Sequence, residues 1–223
     1  MHARSLMVVG ALLLCAGGVV SAQTTSPAPT DDTQIWSEVQ ITAPLRKKFD
    51  LIFKGTFRLG RNVSHPVSES GAIAIAYKAT RFLTFETGYQ YQAAQPSPGR
   101  TSFTSTLSFN GTVKFPLGKF TISDRNQIER RFRNSRSDNT RYRNRLRVEY
   151  PLAVGKTKFN VFVSNEVFFD VSAKRWARNR FAVGANKKLN KNLTGELYYM
   201  RQNDGRSRPG DLHIIGTILK VQL

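Results

Sequence analysis

From Gln34 to Leu223 the chain is written in segments of about ten residues whose apolar side chains fall on every second position, cut by turn residues. A period of two is the signature of β-strands with unlike faces. The segment FTSTLSFNGTVKF (103–115) shows it most plainly: Phe103, Leu107, Phe109, Val113 and Phe115 share one face, and Thr104, Thr106, Ser108, Asn110, Thr112 and Lys114 the other. Leu51, Phe53, Phe57 and Leu59 oppose Lys54, Thr56 and Arg58 in the same way, as Leu83, Phe85, Tyr89 and Tyr91 oppose Thr84, Glu86 and Gln90. Further strands read at about 34–43, 71–79, 119–132, 141–151, 157–169, 178–189, 192–202 and 212–223. No helical period persists, and no apolar run reaches 18 residues.

A soluble sandwich also alternates, but its strands usually run five or six residues. Segments of ten match a tilted crossing of a bilayer. Aromatics gather at segment ends, among them Phe49, Tyr77, Phe82, Phe103, Phe120, Phe132 and Tyr150, as two interfacial girdles require. Connections alternate between tight (Pro116–Lys119, Ala153–Lys156) and longer (Gly60–Ser70, Ala93–Thr101, Arg133–Thr140, Asp170–Ala177, Asn203–Asp211). The expected fold is therefore all-β: one antiparallel transmembrane β-barrel of about 10–12 strands over 34–223. Eleven segments can be counted, whereas bacterial single-chain barrels are usually even. Residues 34–43 are the segment expected to lie in the lumen or to pair differently.

The N-terminus agrees with that destination. An early Arg4, an apolar run from Leu6 to Val20 and Val20-Ser21-Ala22 before Gln23 have the form of a secretory signal cleaved after Ala22. Residues 23–33, QTTSPAPTDDT, read as a flexible arm. Residues 1–22 also hold the one cysteine, Cys15, so the exported chain would use no disulfide. The formal charge of the full sequence is +19, which predicts anionic partners. Export makes nucleic acid an unsuitable one and points to the bacterial outer membrane.

Nine arginines fall within residues 125–147. In register they are not a surface patch. Arg141, Arg143, Arg145, Arg147 and Glu149 share the polar face of one strand, Arg125, Gln127, Glu129 and Arg131 that of its neighbour. Arg58, Glu86, Glu166, Arg178, Arg180 and Glu196, with Lys54, Lys114 and Lys188, fall on polar faces as well. Two readings stay open: cross-strand pairing of Arg with Glu to satisfy buried charge, or a surplus of positive charge that draws small acidic solutes into a pore. Asp124 and Asn126 fit poorly, since the phase of Phe120 and Ile122 turns them toward lipid. A bulge near Ser123–Arg125 would rephase them.

The segments TQIWSEVQI, FPLGKFTISDRNQIERRFR, RYRNRLRVEYP and LYYMRQNDGRSRPGDLHIIGT resemble the DUF2490 family of bacterial outer-membrane proteins. The resemblance implies a β-barrel and carries no activity with it. Catalysis is not expected. His65 lies in NVSHPVSES near Ser64, Ser68 and Glu69, and His213 near Asp211 and Ser207, but no motif of barrel lipases or lipid A deacylases is present. Two distant histidines give no metal cluster, and no cofactor is expected. Basic residues in the longer connections, Arg133, Arg136, Lys174, Arg175, Arg206 and Arg208, are candidates for lipopolysaccharide phosphates.

Overall fold

In the computed structural model the described residues are 31–97, 99–205, 207 and 209–223. The signal and most of the proposed arm, together with Arg206 and Arg208, lie outside them. Eleven strands follow in order: β1 (Asp31–Arg46), β2 (Phe49–Gly60), β3 (His65–Lys78), β4 (Leu83–Ser97), β5 (Arg100–Leu117), β6 (Phe120–Arg133), β7 (Asn139–Val154), β8 (Thr157–Asp170), β9 (Arg175–Lys188), β10 (Leu193–Asp204) and β11 (Asp211–Gln222). Each pairs with its sequence neighbours, and β1 closes the barrel against β11.

The closing pair is parallel, with an unbroken register from Asp31↔Asp211 to Thr42↔Gln222. This corrects the expectation of an even count. A ring in which every neighbour is antiparallel must be even, and one parallel seam makes it odd. The segment expected to sit apart is a full wall strand, hydrogen-bonded to β2 as well. The seam also separates the ends of the barrel: β1 begins at the rim of the connections after β2, β4, β6, β8 and β10, and β11 ends at the opposite rim.

The opposite rim is made of tight hairpins. Gly118 (φ 60°) and Gly155 (φ 57°) supply the left-handed residue that such turns need. The other rim differs from the sequence reading. Its connections are shorter because the strands run on: β3 begins at His65 and β4 continues through Gln95 to Ser97. Where both faces of a strand meet water the alternation disappears while the hydrogen-bonded ladder persists, so the pattern under-reports the ends.

Burial is inverted relative to a soluble protein. Phe53, Phe57, Ile73, Tyr89, Leu107, Phe109, Leu197 and Ile215 are exposed on the outer wall, and the buried apolar residues lie inside. Trp36, Leu212 and Ile214 pack with Tyr198 and Met200, and Ile52 with Ala74 and Ala76. Paired rings mark the two girdles: Phe49–Tyr77 and Phe120–Tyr150 at the hairpin rim, Tyr91–Phe103 and Phe169–Trp176 at the other. Register shifts occur only near strand ends, at 44/46, 58/59, 94/97 and 168/169. The bulge expected at Ser123–Arg125 is absent, since β6 is continuous against both β5 and β7. Asp124 and Asn126 therefore face outward.

Candidate functional site: the charged lumen

Four strands build one wall of the lumen. The register places Arg125 beside Arg145, Gln127 beside Arg143 and Glu129 beside Arg141, so two basic side chains crowd on the Arg125–Arg145 rung. Strand β8 relieves the crowding by setting Glu166 between Arg145 and Arg180, and Phe168 between Arg143 and Arg178. Glu166 accepts from Arg125 at 2.7 Å and Arg143 at 2.8 Å and lies 3.6 Å from Arg180. Glu129 accepts from Arg141 and Arg143, each at 2.6 Å. Arg147 bonds Glu149 at 2.7 Å and Glu196 at 2.9 Å, and Lys220 also reaches Glu196 at 2.9 Å. Arg178 pairs with Asp204, and Lys54 with Glu86 at 3.0 Å.

Aromatic rings fill the gaps between the guanidiniums. Phe168, almost fully buried, has Arg141, Arg143, Arg178 and Arg180 within 5.5 Å of its centre. Arg147 lies 3.6 Å from the Phe162 ring. Trp36 reaches in from β1, with Arg58 at 3.9 Å and Arg180 at 4.9 Å. Trp36 is itself positioned by a short relay: its Nε1 donates to Gln34 Oε1, and Gln34 Nε2 donates to Asp32. Each such contact contributes up to about 2 kcal/mol where water is excluded.

The wall made by β3, β4 and β5 is different in kind. Ser70, Gln90, Gln92, Thr104, Thr106 and Ser108 line it, neutral and mostly small. Between the two walls lies a cavity of about 800 Å³. Among the described residues, thirteen basic and seven acidic side chains line it, an excess that the ion pairs above do not absorb. Arg58, Arg131 and Arg145 have no side-chain hydrogen bond or ion pair among the described residues. Glu38, which also lines the cavity, has no hydrogen-bonded side-chain partner among the described residues. The Nε atoms of Arg58, Arg125 and Arg143 are buried and unpartnered.

Of the eighteen polar-face residues expected from the sequence, all but Lys114, Glu149 and Lys188 line the cavity. Glu149 is held by Arg147 and Asn186 instead. The sequence reading missed Trp36, Phe162 and Phe168. Their parity within β1 and β8 carried the signal, since each lies an even number of residues from an inward Glu38 or Glu166. Of the rim residues, Arg133 and Arg136 turn into the mouth of the cavity, while Lys174 and Arg175 are exposed. Ser64 Oγ and His65 Nδ1 are 2.7 Å apart, with no carboxylate hydrogen-bonded to His65 among the described residues. His213 faces outward and contacts Tyr199. No group of metal-ligating side chains occurs among the described residues.

The DUF2490 family, described as proteins of unknown function, matches residues 33–212, and the chain belongs to it. No curated protein matches the chain. Among solved structures, LpxR from Salmonella typhimurium is similar at 11% identity and a TM-score of 0.50, over 78% of this chain and 83% of that one. The NanC porin is similar at 11% identity and a TM-score of 0.46, over 82% and 93%. An anion-selective porin from Comamonas acidovorans aligns at 15% identity and a TM-score of 0.39, over 79% and 54%. The protein is an outer-membrane β-barrel.

Proposed function

We propose that this DUF2490 barrel is a small pore whose lumen draws in acidic solutes. The observation that carries the reading is the presence of Arg58, Arg131 and Arg145 beside the cavity with no carboxylate among the described residues bonded to them. Surplus charge between low-dielectric walls focuses the field and raises the local concentration of counter-ions. The paired arginines supply a rigid frame, and the neutral hydroxyl and amide wall leaves room for a solute that also bears hydroxyl groups. Lys174 and Arg175, exposed at the long-connection rim, suit phosphate groups of surrounding lipopolysaccharide.

A second reading is favoured by one observation, the bidentate hold of Arg143 on both Glu129 and Glu166. Such bracing across β6–β8 suits a lumen filled for stability rather than for passage. Eleven strands lie between the eight that side chains can fill and the sixteen that leave a channel. Planar-bilayer recording under a salt gradient separates the two. Discrete steps with an anion-selective reversal potential, reduced in Arg131→Ser/Arg145→Ser, support the pore. A folded, inserted barrel without steps makes the arginines a structural filling.

A further inference from the structure

The outer wall of β6–β9 does not resemble the rest of the lipid-facing surface. Asp124, Asn126, Asn144, Asn165 and Asn179 all point outward, amid Ile128, Leu146, Val163 and Phe181. Asn144 Nδ2 donates to Asp124 Oδ1 at 2.7 Å and to Asn126 Oδ1 at 3.1 Å. Asn126 Nδ2 donates to Asp124 Oδ2 at 2.8 Å, and the Tyr142 hydroxyl to Asn126 Oδ1 at 2.5 Å. Asn179 Nδ2 donates to Asn165 Oδ1 at 2.9 Å.

The depth of the cluster matters. Asp124 is four residues above Phe120 of the hairpin-rim girdle and eight below Phe132. With about 3.3 Å per residue and a tilt of about 40°, it stands roughly 10 Å above one girdle and 20 Å below the other. That is inside the hydrocarbon, where an ionisable side chain marks a functional surface and acyl chains offer no hydrogen bond. The internal bonds do not complete the cluster. The Nδ2 of Asn165 and the Oδ1 atoms of Asn144 and Asn179 have no partner among the described residues.

We propose that this patch is an interface within the membrane, and that its occupant is a second copy of this chain. The acceptor-rich end, Asp124 on β6, and the end with a free donor, Asn165 with Asn179 on β8 and β9, lie on either side of β7. A two-fold axis along the membrane normal through β7–β8 sets β6 of one copy against β8 and β9 of the other. The same patch then satisfies itself twice, as an isologous contact does. Lipid supplies no such complement, and a different protein would have to reproduce the donor that this chain already carries. The interface is independent of whether the lumen conducts.

The test is cross-linking of the full-length protein in outer membranes, with Leu146→Cys at the centre of the patch and Ile73→Cys on β3 as the remote control, both in a Cys15→Ser background. Leu146→Cys joined to itself as a dimer, with Ile73→Cys staying monomeric, is the expected result. Asn165→Val/Asn179→Val should lower the dimer yield about tenfold while the barrel still migrates as folded, since both changes suit a lipid-facing wall. A folded Leu146→Cys barrel that stays monomeric overturns the proposal. So does a cross-link to a protein of another mass, or a dimer yield that the double variant leaves unchanged.

Discussion

Replacing Glu166 by Gln tests how far the lumen depends on shared carboxylates. Glu166 is 6% exposed and neutralises part of three arginines. Their losses are unequal. Arg143 keeps Glu129, and Arg180 keeps its bond to Gln202 and its contact with Trp36. Arg125 loses the one ion pair it makes among the described residues and already has a buried, unpartnered Nε. Removing one member of a buried pair costs about 3–5 kcal/mol. Since the Gln amide still accepts one hydrogen bond and the cavity admits water, the lower end, about 3 kcal/mol, is expected. The measurement is urea unfolding of the refolded protein in detergent, followed by tryptophan fluorescence. Removing Arg125 as well should recover about half of the loss, because an uncompensated charge is what costs most. A Glu166→Gln barrel within about 0.5 kcal/mol of the parent would refute the reasoning, for that is the range of a surface substitution.

Three further outcomes follow from the geometry. Arg145→Ser should leave unfolding stability within about 0.5 kcal/mol of the parent while Arg147→Ser, which loses Glu149, Glu196 and the Phe162 face, costs about 3 kcal/mol; the same urea titration compares them. Trp36→Ala removes a buried ring that two guanidiniums face and should cost about 3–5 kcal/mol, with a matching fall in the urea midpoint. Asp32 accepts the amides of Arg61 and Asn62 at 3.0 and 2.7 Å, within a run of three left-handed residues that ends at Val63 (φ 64°). Val63→Gly should therefore stabilise the turn by about 1 kcal/mol, and Asp32→Ala should open it to proteolysis at 61–64.

Face assignment was legible because parity is a local property. Arg141, Arg143, Arg145 and Arg147 could be placed inside from spacing alone, and Asp124 outside from the phase of Phe120 and Ile122. The error at Asp124 came from judging a residue by the cost of meeting lipid singly, when Asn126 and Asn144 lie within hydrogen-bonding reach. The rings of Phe162 and Phe168 were missed because only polar side chains were placed in the lumen, although both positions are even with Glu166. Strand ends were read short, since alternation stops at the water line and pairing does not.

The sequence by itself determined the class of fold, the inward and outward faces, and the excess of positive charge in the lumen, for each depends only on residues a few positions apart. Three things were decided by the tertiary structure alone. The parallel seam between β1 and β11 joins residues about 180 positions apart, and no local pattern records its direction. The choice of which arginines are braced and which stay free depends on Glu166 and Glu196 arriving from strands 41 and 49 residues away from the arginines they hold. The outward polar patch becomes one surface only when β6 through β9 lie side by side. Charges and hydrogen bonds act over a few ångströms of space, and the closed barrel is what brings those distant residues within that range.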